Sequence, residues 1–388
     1  MQEHTTARRA PFRVGIVAGE ASGDLLGAHL IAALKARLGE IEFVGIAGPK
    51  MEAAGAKSLY PMEKLAVRGY LEVLRHYREL VGIRKKLKYH FLDNPPDVFI
   101  GVDAPDFNLD LERALKDAGI PTLHYASPSI WAWRGKRIHK IARAVSRMLV
   151  LFPFEEKIYR DADIPVSYVG HPLADMLPER PDRQAMRAQL RLPKNATVIA
   201  MLPGSRQSEV HYLGELYVRT ARQVLEARPN ARFLVPLVSR ETRTVFETAI
   251  YRAGGEDLPL TILFGHAQDA MIAADAVLVA SGTATLEAAL LKRPMVITYR
   301  LSRLSAWLMR RQGYLPYVGL PNILAGRFIV PELLQEDAIP ENLARALLNL
   351  LDDASAREGM AAEFERMRRE LKQDAAGKVA EAIMEYLR

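Results

Sequence analysis

Short, almost wholly apolar runs rich in β-branched residues recur along this chain, and each gives way to small residues and then to a segment of helical periodicity. The first is Arg13–Ala18 (RVGIVA), with Leu25–Leu38 as its helix. Phe43–Ile46, Val98–Val102, Thr122–Tyr125 and Arg147–Phe152 repeat the theme, as do Val198–Leu202, Arg232–Leu237, Leu260–Phe264, Ala276–Ala280 and Met295–Thr298. Strands without polar alternation, set between helices, must be covered on both faces, which means parallel sheets in an α/β fold. The runs form two series that part near Gly170-His171-Pro172-Leu173, so the pattern predicts two Rossmann-like domains. A length of 388 residues agrees, being more than one core normally serves. We place a disordered lead at 1–12, the first domain at 13–172 and the second at 173–360, its linker starting at Pro178–Asp182. From Ile339 the periodicity is all helical, and helices over 361–388 are expected to pack back on the first domain.

Composition narrows the function classes. With 49% hydrophobic and 26% charged residues, global disorder and fibrous repeats are excluded. Cysteine is absent, which excludes thiolate nucleophiles, thiolate zinc sites and disulfides, and fits a reducing compartment. No uncharged run reaches the roughly 18 apolar residues of a membrane helix. The longest, 118–133, is interrupted by Pro121 and Pro128. The leading MQEHTTARRAPF has no apolar stretch of the kind a secretory signal needs. Lys and Arg (53) outnumber Asp and Glu (46), which suits an anionic membrane surface or a phosphorylated substrate. The cations are scattered and no recognition motif accompanies them, so nucleic acid is not an expected partner. Asp161-Ala-Asp163 reads as solvated turn residues, and the nine histidines lack ligand spacing. Neither a metal nor a cofactor is expected.

In open parallel sheets ligands bind beyond the C-terminal strand ends. After the first strand come Gly19-Glu20-Ala21-Ser22-Gly23-Asp24, without the glycine spacing of a dinucleotide fold. This turn can admit a ligand to a helix N-terminus, or simply be a tight turn capped by Ser22 or Asp24. After Val98–Val102 comes Asp103-Ala-Pro-Asp106-Phe-Asn108. We read Asp103 as a candidate general base and Asp106 as a helix cap. The stretch His124–Arg134 (HYASPSIWAWR) holds two of the three tryptophans beside cations, which suits a phosphorylated sugar or an aromatic packing loop. In the second series Pro203-Gly204-Ser205-Arg206 follows a strand, and so does Ser281-Gly282-Thr283-Ala-Thr-Leu-Glu287. Both offer amides and hydroxyls to phosphate; Arg206 can grip it bidentately, and Glu287 suits the paired hydroxyls of a ribose. Two such turns in one lobe point to a nucleotide diphosphate sugar. Finally, Val67, Tyr70, Leu71, Leu74, Tyr77 and Val81 fall on one helical stripe among Arg75, Arg78, Arg84, Lys85, Lys86 and Lys88. Such a helix can face a core, or lie on an anionic membrane or acyl chains.

The strings VAGEASGD (17–24), FIGVDAPDFN (99–108), HYASPSIWAWR (124–134), LPGSR (202–206), ASGTATLE (280–287) and LPNILAGR (320–327) together resemble the lipid-A-disaccharide synthase family, from about Arg13 to the C-terminal helices. The resemblance implies a GT-B glycosyltransferase with two Rossmann-like domains facing a central cleft. It implies transfer from UDP-2,3-diacylglucosamine to 2,3-diacylglucosamine 1-phosphate, giving a β-1,6 disaccharide and UDP. It also implies a cytoplasmic enzyme, peripherally attached to the inner membrane of a Gram-negative bacterium, and a homodimer. On this resemblance Asp103 is the essential aspartate and base, and Arg206 the UDP-phosphate arginine. Glu287 is the ribose contact, and Asn322 lies in the nucleotide loop. Glu20, Ser22 and Gly23 belong to the first active-site loop, with Glu20 the rival base. Gly204, Ser205, Ser281, Gly282 and Thr283 line the UDP site, and Leu71, Val73, Leu74, Tyr77, Leu80 and Val81 form the acyl or membrane patch. Tyr77 stands where the family has a plainly aliphatic residue. The alternatives are a nucleotide-sugar epimerase of the same two-lobe build, which needs no acceptor, and a non-catalytic nucleotide-binding regulator, which could dispense with Asp103.

Overall fold

A computed structural model describes residues 11–65, 70–132, 135–302 and 316–387, without the side chains of 70–77. The chain divides into two compact units, Met1–Asp175 with Glu370–Arg388, and Met176–Arg369. The return to the first unit comes later than position 361, because the helix Ala354–Leu371 runs through that point unbroken. Residues 1–10 of the expected lead lie outside the described residues, and Phe12 already belongs to the first strand.

Among the described residues the first unit holds β1 (Phe12–Ala18), β2 (Ile41–Ile46), β3 (Ala56–Ser58), β4 (Val98–Val102), β5 (Thr122–Tyr125), β6 (Arg147–Val150) and β7 (Val166–Tyr168). They are parallel throughout, in the order β3-β2-β1-β4-β5-β6-β7. The second unit holds β8 (Thr197–Leu202), β9 (Ala231–Leu237), β10 (Leu260–Phe264), β11 (Ala276–Ala280), β12 (Met295–Tyr299) and β13 (Glu332–Leu334). These too are all parallel, in the order β10-β9-β8-β11-β12-β13. Every apolar run forms a strand. The run Arg147–Phe152 stops at Val150, because Phe152 N donates to Glu155 Oε2 (3.0 Å) and so opens the helix Pro153–Arg160. β3, β7 and β13 were not anticipated from sequence. Each has three residues and lies at a sheet edge, too short to show periodicity.

Burial explains the sequence pattern. Val14, Ile16, Val17, Val98, Phe99 and Ile100 are fully buried in the central strands of the first sheet. The helix Ala21–Leu38 packs on the last helix, Ala375–Met384, with Leu30, Ile31, Leu34, Val379 and Ile383 all inaccessible. Each such side chain contributes roughly 1.5–3 kcal/mol by leaving water. The last helix is tied in by Asp175, whose carboxylate accepts from Asp374 N (3.1 Å) and Ala375 N (2.8 Å). His171 N donates to Leu371 O (2.9 Å), fastening the same crossing.

Candidate active site

In the first sheet the strand order reverses between β1 and β4, since β2 lies on one side of β1 and β4 on the other. At such a switch point the loops diverge and leave a crevice at the C-terminal strand ends. Ala18 pairs with Val102, so the turn Gly19-Glu20 and the turn Asp103-Ala104 stand side by side. Their approach is close: a Cβ on Gly19 would lie 2.5 Å from Ala104 Cβ, so only glycine fits. Gly23 is buried, and its missing Cβ would be 3.3 Å from Val102 O. Glu20 is half-buried and Ser22 exposed in the first helical turn. The sequence-derived residues Glu20, Ser22, Gly23 and Asp103 are therefore together.

Asp103 and Ala104 are both left-handed, at φ +52° and +45°. Two consecutive non-glycine residues in that region cost about 1–3 kcal/mol each, strain that concentrates at functional turns. Asp103 N donates to Tyr125 O (2.9 Å) and Asp103 O accepts from Asn108 Nδ2 (2.8 Å). Among the described residues nothing bonds to the half-buried Asp103 carboxylate.

Two capping expectations are corrected. Asp106 does not cap the helix Pro105–Lys116: it lies inside the first turn, and its carboxylate pairs with Arg137. Neither Ser22 nor Asp24 caps the helix Ala21–Leu38. Asp24 instead accepts from Lys50 N (3.0 Å) and Met51 N (2.9 Å), capping the next helix, Pro49–Ala53, across the fold. The carboxylate was read locally, whereas tertiary packing supplied nearer unsatisfied donors.

Within the aromatic loop Trp133 and Arg134 lie outside the described residues. Trp131 is half-buried, donates Nε1 to Glu155 Oε1 (3.0 Å) and meets Phe154 edge-on at 5.3 Å. Burial pushes the Glu155 carboxyl up to about 7. Along the helix Tyr70–Asp93 the side chains of Leu71, Val73, Leu74 and Tyr77 lie outside the described residues. Leu80 and Val81 are half-buried, while Ile83, Leu87 and Phe91 are buried in the core and Arg78, Lys85 and Lys86 are exposed.

The second sheet reverses between β8 and β11. The two small-residue turns follow these two strands. A Cβ on Gly204, at φ +117°, would lie 2.5 Å from Glu209 Cβ. Glu209 folds back from the helix Gln207–Ala227: Oε2 accepts from Ser205 N (3.0 Å) and Arg206 N (3.2 Å), and Oε1 from Arg206 Nη1 (2.9 Å). The turn amides expected for a phosphate are thus spent on this carboxylate, and Arg206 is held by one edge. Its side chain remains 47% exposed, so its other edge can still meet an anion. The sequence signal for Glu209 was present, an acid three residues after the N-cap Arg206.

At the other turn Gly282 and Thr283 are exposed at the start of the helix Thr283–Leu290, whose first two N–H groups, Thr283 and Ala284, precede the intrahelical ladder. Ser281 Oγ donates to Val318 O (2.9 Å), bringing in the loop before the helix Leu320–Ala325. Glu332 fastens that loop, accepting from Val318 N and Gly319 N (both 2.9 Å). Asn322 is fully buried and saturated. It donates to Val330 O (2.9 Å) and Glu332 Oε1 (2.8 Å), and accepts from Ile329 N (2.8 Å) and Val330 N (3.0 Å). Its side chain shapes the loop through these four bonds. Burial raises the pKa of Glu287, and among the described residues no group pairs with it. Among the described residues no three His, Asp or Glu gather as a metal site, and no helix is long and apolar enough to cross a membrane.

A family model described as Lipid-A-disaccharide synthetase matches residues 14–386. The chain belongs to the lipid-A-disaccharide synthase family. A lipid-A-disaccharide synthase of Methylobacillus flagellatus is 62% identical over 97% of this chain and 99% of its own length. One of Pseudomonas syringae is 50% identical over 97% and 98%. Among solved structures, the UDP-GlcNAc 2-epimerase of Neisseria meningitidis bound to UDP-GlcNAc has a TM-score of 0.64 at 15% identity, covering 97% of this chain and 99% of that one. The calicheamicin glycosyltransferase CalG4 has a TM-score of 0.61 at 15% identity, covering 98% and 99%. These structural likenesses establish the fold, the two-sheet α/β architecture of GT-B enzymes. A transferase and an epimerase share it, so the fold alone does not choose between them; family membership does, and it favours the synthase.

Proposed function

We propose that this member of the family transfers diacylglucosamine from UDP-2,3-diacylglucosamine to the 6-hydroxyl of 2,3-diacylglucosamine 1-phosphate, with inversion at C1. The observation that carries the reading is positional. In a chain of this family, the motif turns after β1 and β4 and those after β8 and β11 fall at their own unit's switch point, where an open parallel sheet binds ligands.

Asp103 takes the proton from the acceptor hydroxyl as that oxygen attacks C1 of the donor and the bond from C1 to the diphosphate breaks. The strained turn holds its carboxylate where no neighbouring group competes for it. Arg206 receives charge developing on the departing diphosphate with the guanidinium edge that Glu209 leaves free. The first N–H groups of the helix Thr283–Leu290 assist, with Ser281, Gly282 and Thr283 shaping their approach. Glu287 accepts from the ribose hydroxyls. Asn322 and Glu332 keep the loop 316–322 in place. Glu20 and Ser22 contact the acceptor sugar beside Asp103. The exposed cations Arg78, Lys85 and Lys86 support contact with an anionic inner-membrane surface on the cytoplasmic side, with Leu80 and Val81 at the border of the acyl patch.

Incubating the enzyme with the donor, with and without the acceptor phosphate, tests the reading. UDP released only when both are present agrees with it; donor altered at its own sugar in the absence of acceptor does not.

A further inference from the structure

We infer that Asn108 is a positioning residue for the reaction, one that aims Asp103 by clamping the two turns of the first switch point together. This rests on the reading of Asp103 as the base. Asn108 lies in the first turn of the helix Pro105–Lys116 and is completely buried. Its one amide nitrogen donates to two backbone carbonyls, Val17 O (3.2 Å) on β1 and Asp103 O (2.8 Å) after β4. A single side chain thus joins the end of one strand to the turn that follows its neighbour.

The turn needs such a hold. Asp103 and Ala104 are both left-handed without being glycine, a conformation that persists only where the surroundings over-determine it. Asp103 N is fixed on Tyr125 O (2.9 Å), and Ala104 O accepts from Phe107 N and Asn108 N (both 3.0 Å). The Asp103 carbonyl is fixed by Asn108. Removing the amide would leave the Asp103 carbonyl without its partner and the residue held only through Asp103 N on Tyr125 O, so its carboxylate would wander.

The surroundings are built for polarity rather than for packing alone. Asn108 Oδ1, Glu112 Oε2 and His124 Nε2 are all buried without a partner among the described residues. Glu112 and His124, both inaccessible, meet at 2.7 Å between Oε1 and Nδ1. Gly101 makes the room: a Cβ there would come 2.1 Å from Glu112 Oε1 and 3.0 Å from Asn108 Cβ. If the helix face had only to fill space, an apolar residue of asparagine's size would leave no orphaned oxygen.

The test is steady-state kinetics on Asn108→Leu and Asn108→Ser, with UDP binding and thermal unfolding measured alongside. A misplaced carboxylate costs turnover steeply, so kcat should fall on the order of 10–100-fold. KM for the donor and Kd for UDP should stay within about twofold, since the nucleotide site belongs to the other unit. Adding Ala104→Gly, which adopts the left-handed turn without strain, should restore part of the kcat lost in Asn108→Ser. A packing role predicts recovered stability without recovered kcat. The inference is overturned if both Asn108 variants keep kcat within about threefold while Asp103→Asn is inactive. It is overturned equally if both variants are unfolded at the assay temperature, because Asn108 is then a folding group. If Asp103→Asn itself stays active, the base assignment fails, a separate result.

Discussion

Replacing Arg206 with alanine separates the nucleotide reading from a structural one. Arg206 is half-exposed and pairs with Glu209 at 2.9 Å. Pairs of that exposure are worth about 0–1 kcal/mol, and Glu209 keeps its bonds to Ser205 N and Arg206 N after the change. The fold should therefore lose little, with Tm falling by about 2–4 °C at most. UDP should lose far more. A charge-assisted contact to the diphosphate is worth about 1.5–3 kcal/mol, which at about 1.4 kcal/mol per tenfold makes UDP bind roughly 10–150-fold more weakly. Calorimetric titration of UDP into wild type and Arg206→Ala reads this directly. Glu209→Gln is the control. It retains an acceptor for the turn amides but releases the arginine, so its binding should lie between the two. A Kd for Arg206→Ala within twofold of wild type would place the arginine away from the nucleotide and refute the reasoning.

Other expectations follow from the same geometry. Asp103→Asn keeps a side chain that tolerates the left-handed turn at φ +52° and removes the proton acceptor. Its kcat should drop on the order of 10²–10⁴-fold with UDP affinity unchanged; near-normal turnover there, coupled with an inactive Glu20→Gln, would move the base to the first loop. Glu155 is raised by burial from 4.5 to about 7, so it stays protonated in the fold where the unfolded chain ionises. Its stabilising contribution is full below about 4.5 and lost as pH climbs to about 7. His171 is held by burial at about 4 against 6.5 in the unfolded chain, so its contribution is full above about 6.5 and lost as pH falls toward 4. The two slopes oppose one another. The unfolding free energy of Glu155→Gln from urea titration should therefore rise relative to that of wild type between pH 4.5 and 6.5, by roughly 1.4 kcal/mol per unit; identical profiles would show that Glu155 does not titrate as its burial implies.

The long buried strands were legible in sequence because both their faces are apolar, so a run such as Val98–Val102 carries its own signal. β3, β7 and β13 were not, since three edge residues alternate too little to be told from loop. At the site, the residues after β1, β4, β8 and β11 could be picked out because strand ends are where ligands bind. What escaped were their supports. Glu209 belongs to the same turn as Arg206, yet that its carboxylate fills the turn amides is a matter of rotamer. Asn108 and Glu332 act on carbonyls and amides distant in sequence, and Asp24 caps a helix 25 residues on. Side-chain bonds to remote backbone leave no local pattern.

The most direct test of the central claim is product analysis by mass spectrometry, using UDP-2,3-diacylglucosamine and 2,3-diacylglucosamine 1-phosphate as the only substrates. The account predicts one β-1,6 disaccharide 1-phosphate and one UDP per turnover, and nothing when either substrate is withheld. UDP or an isomerised donor sugar appearing at the full rate without acceptor would contradict it.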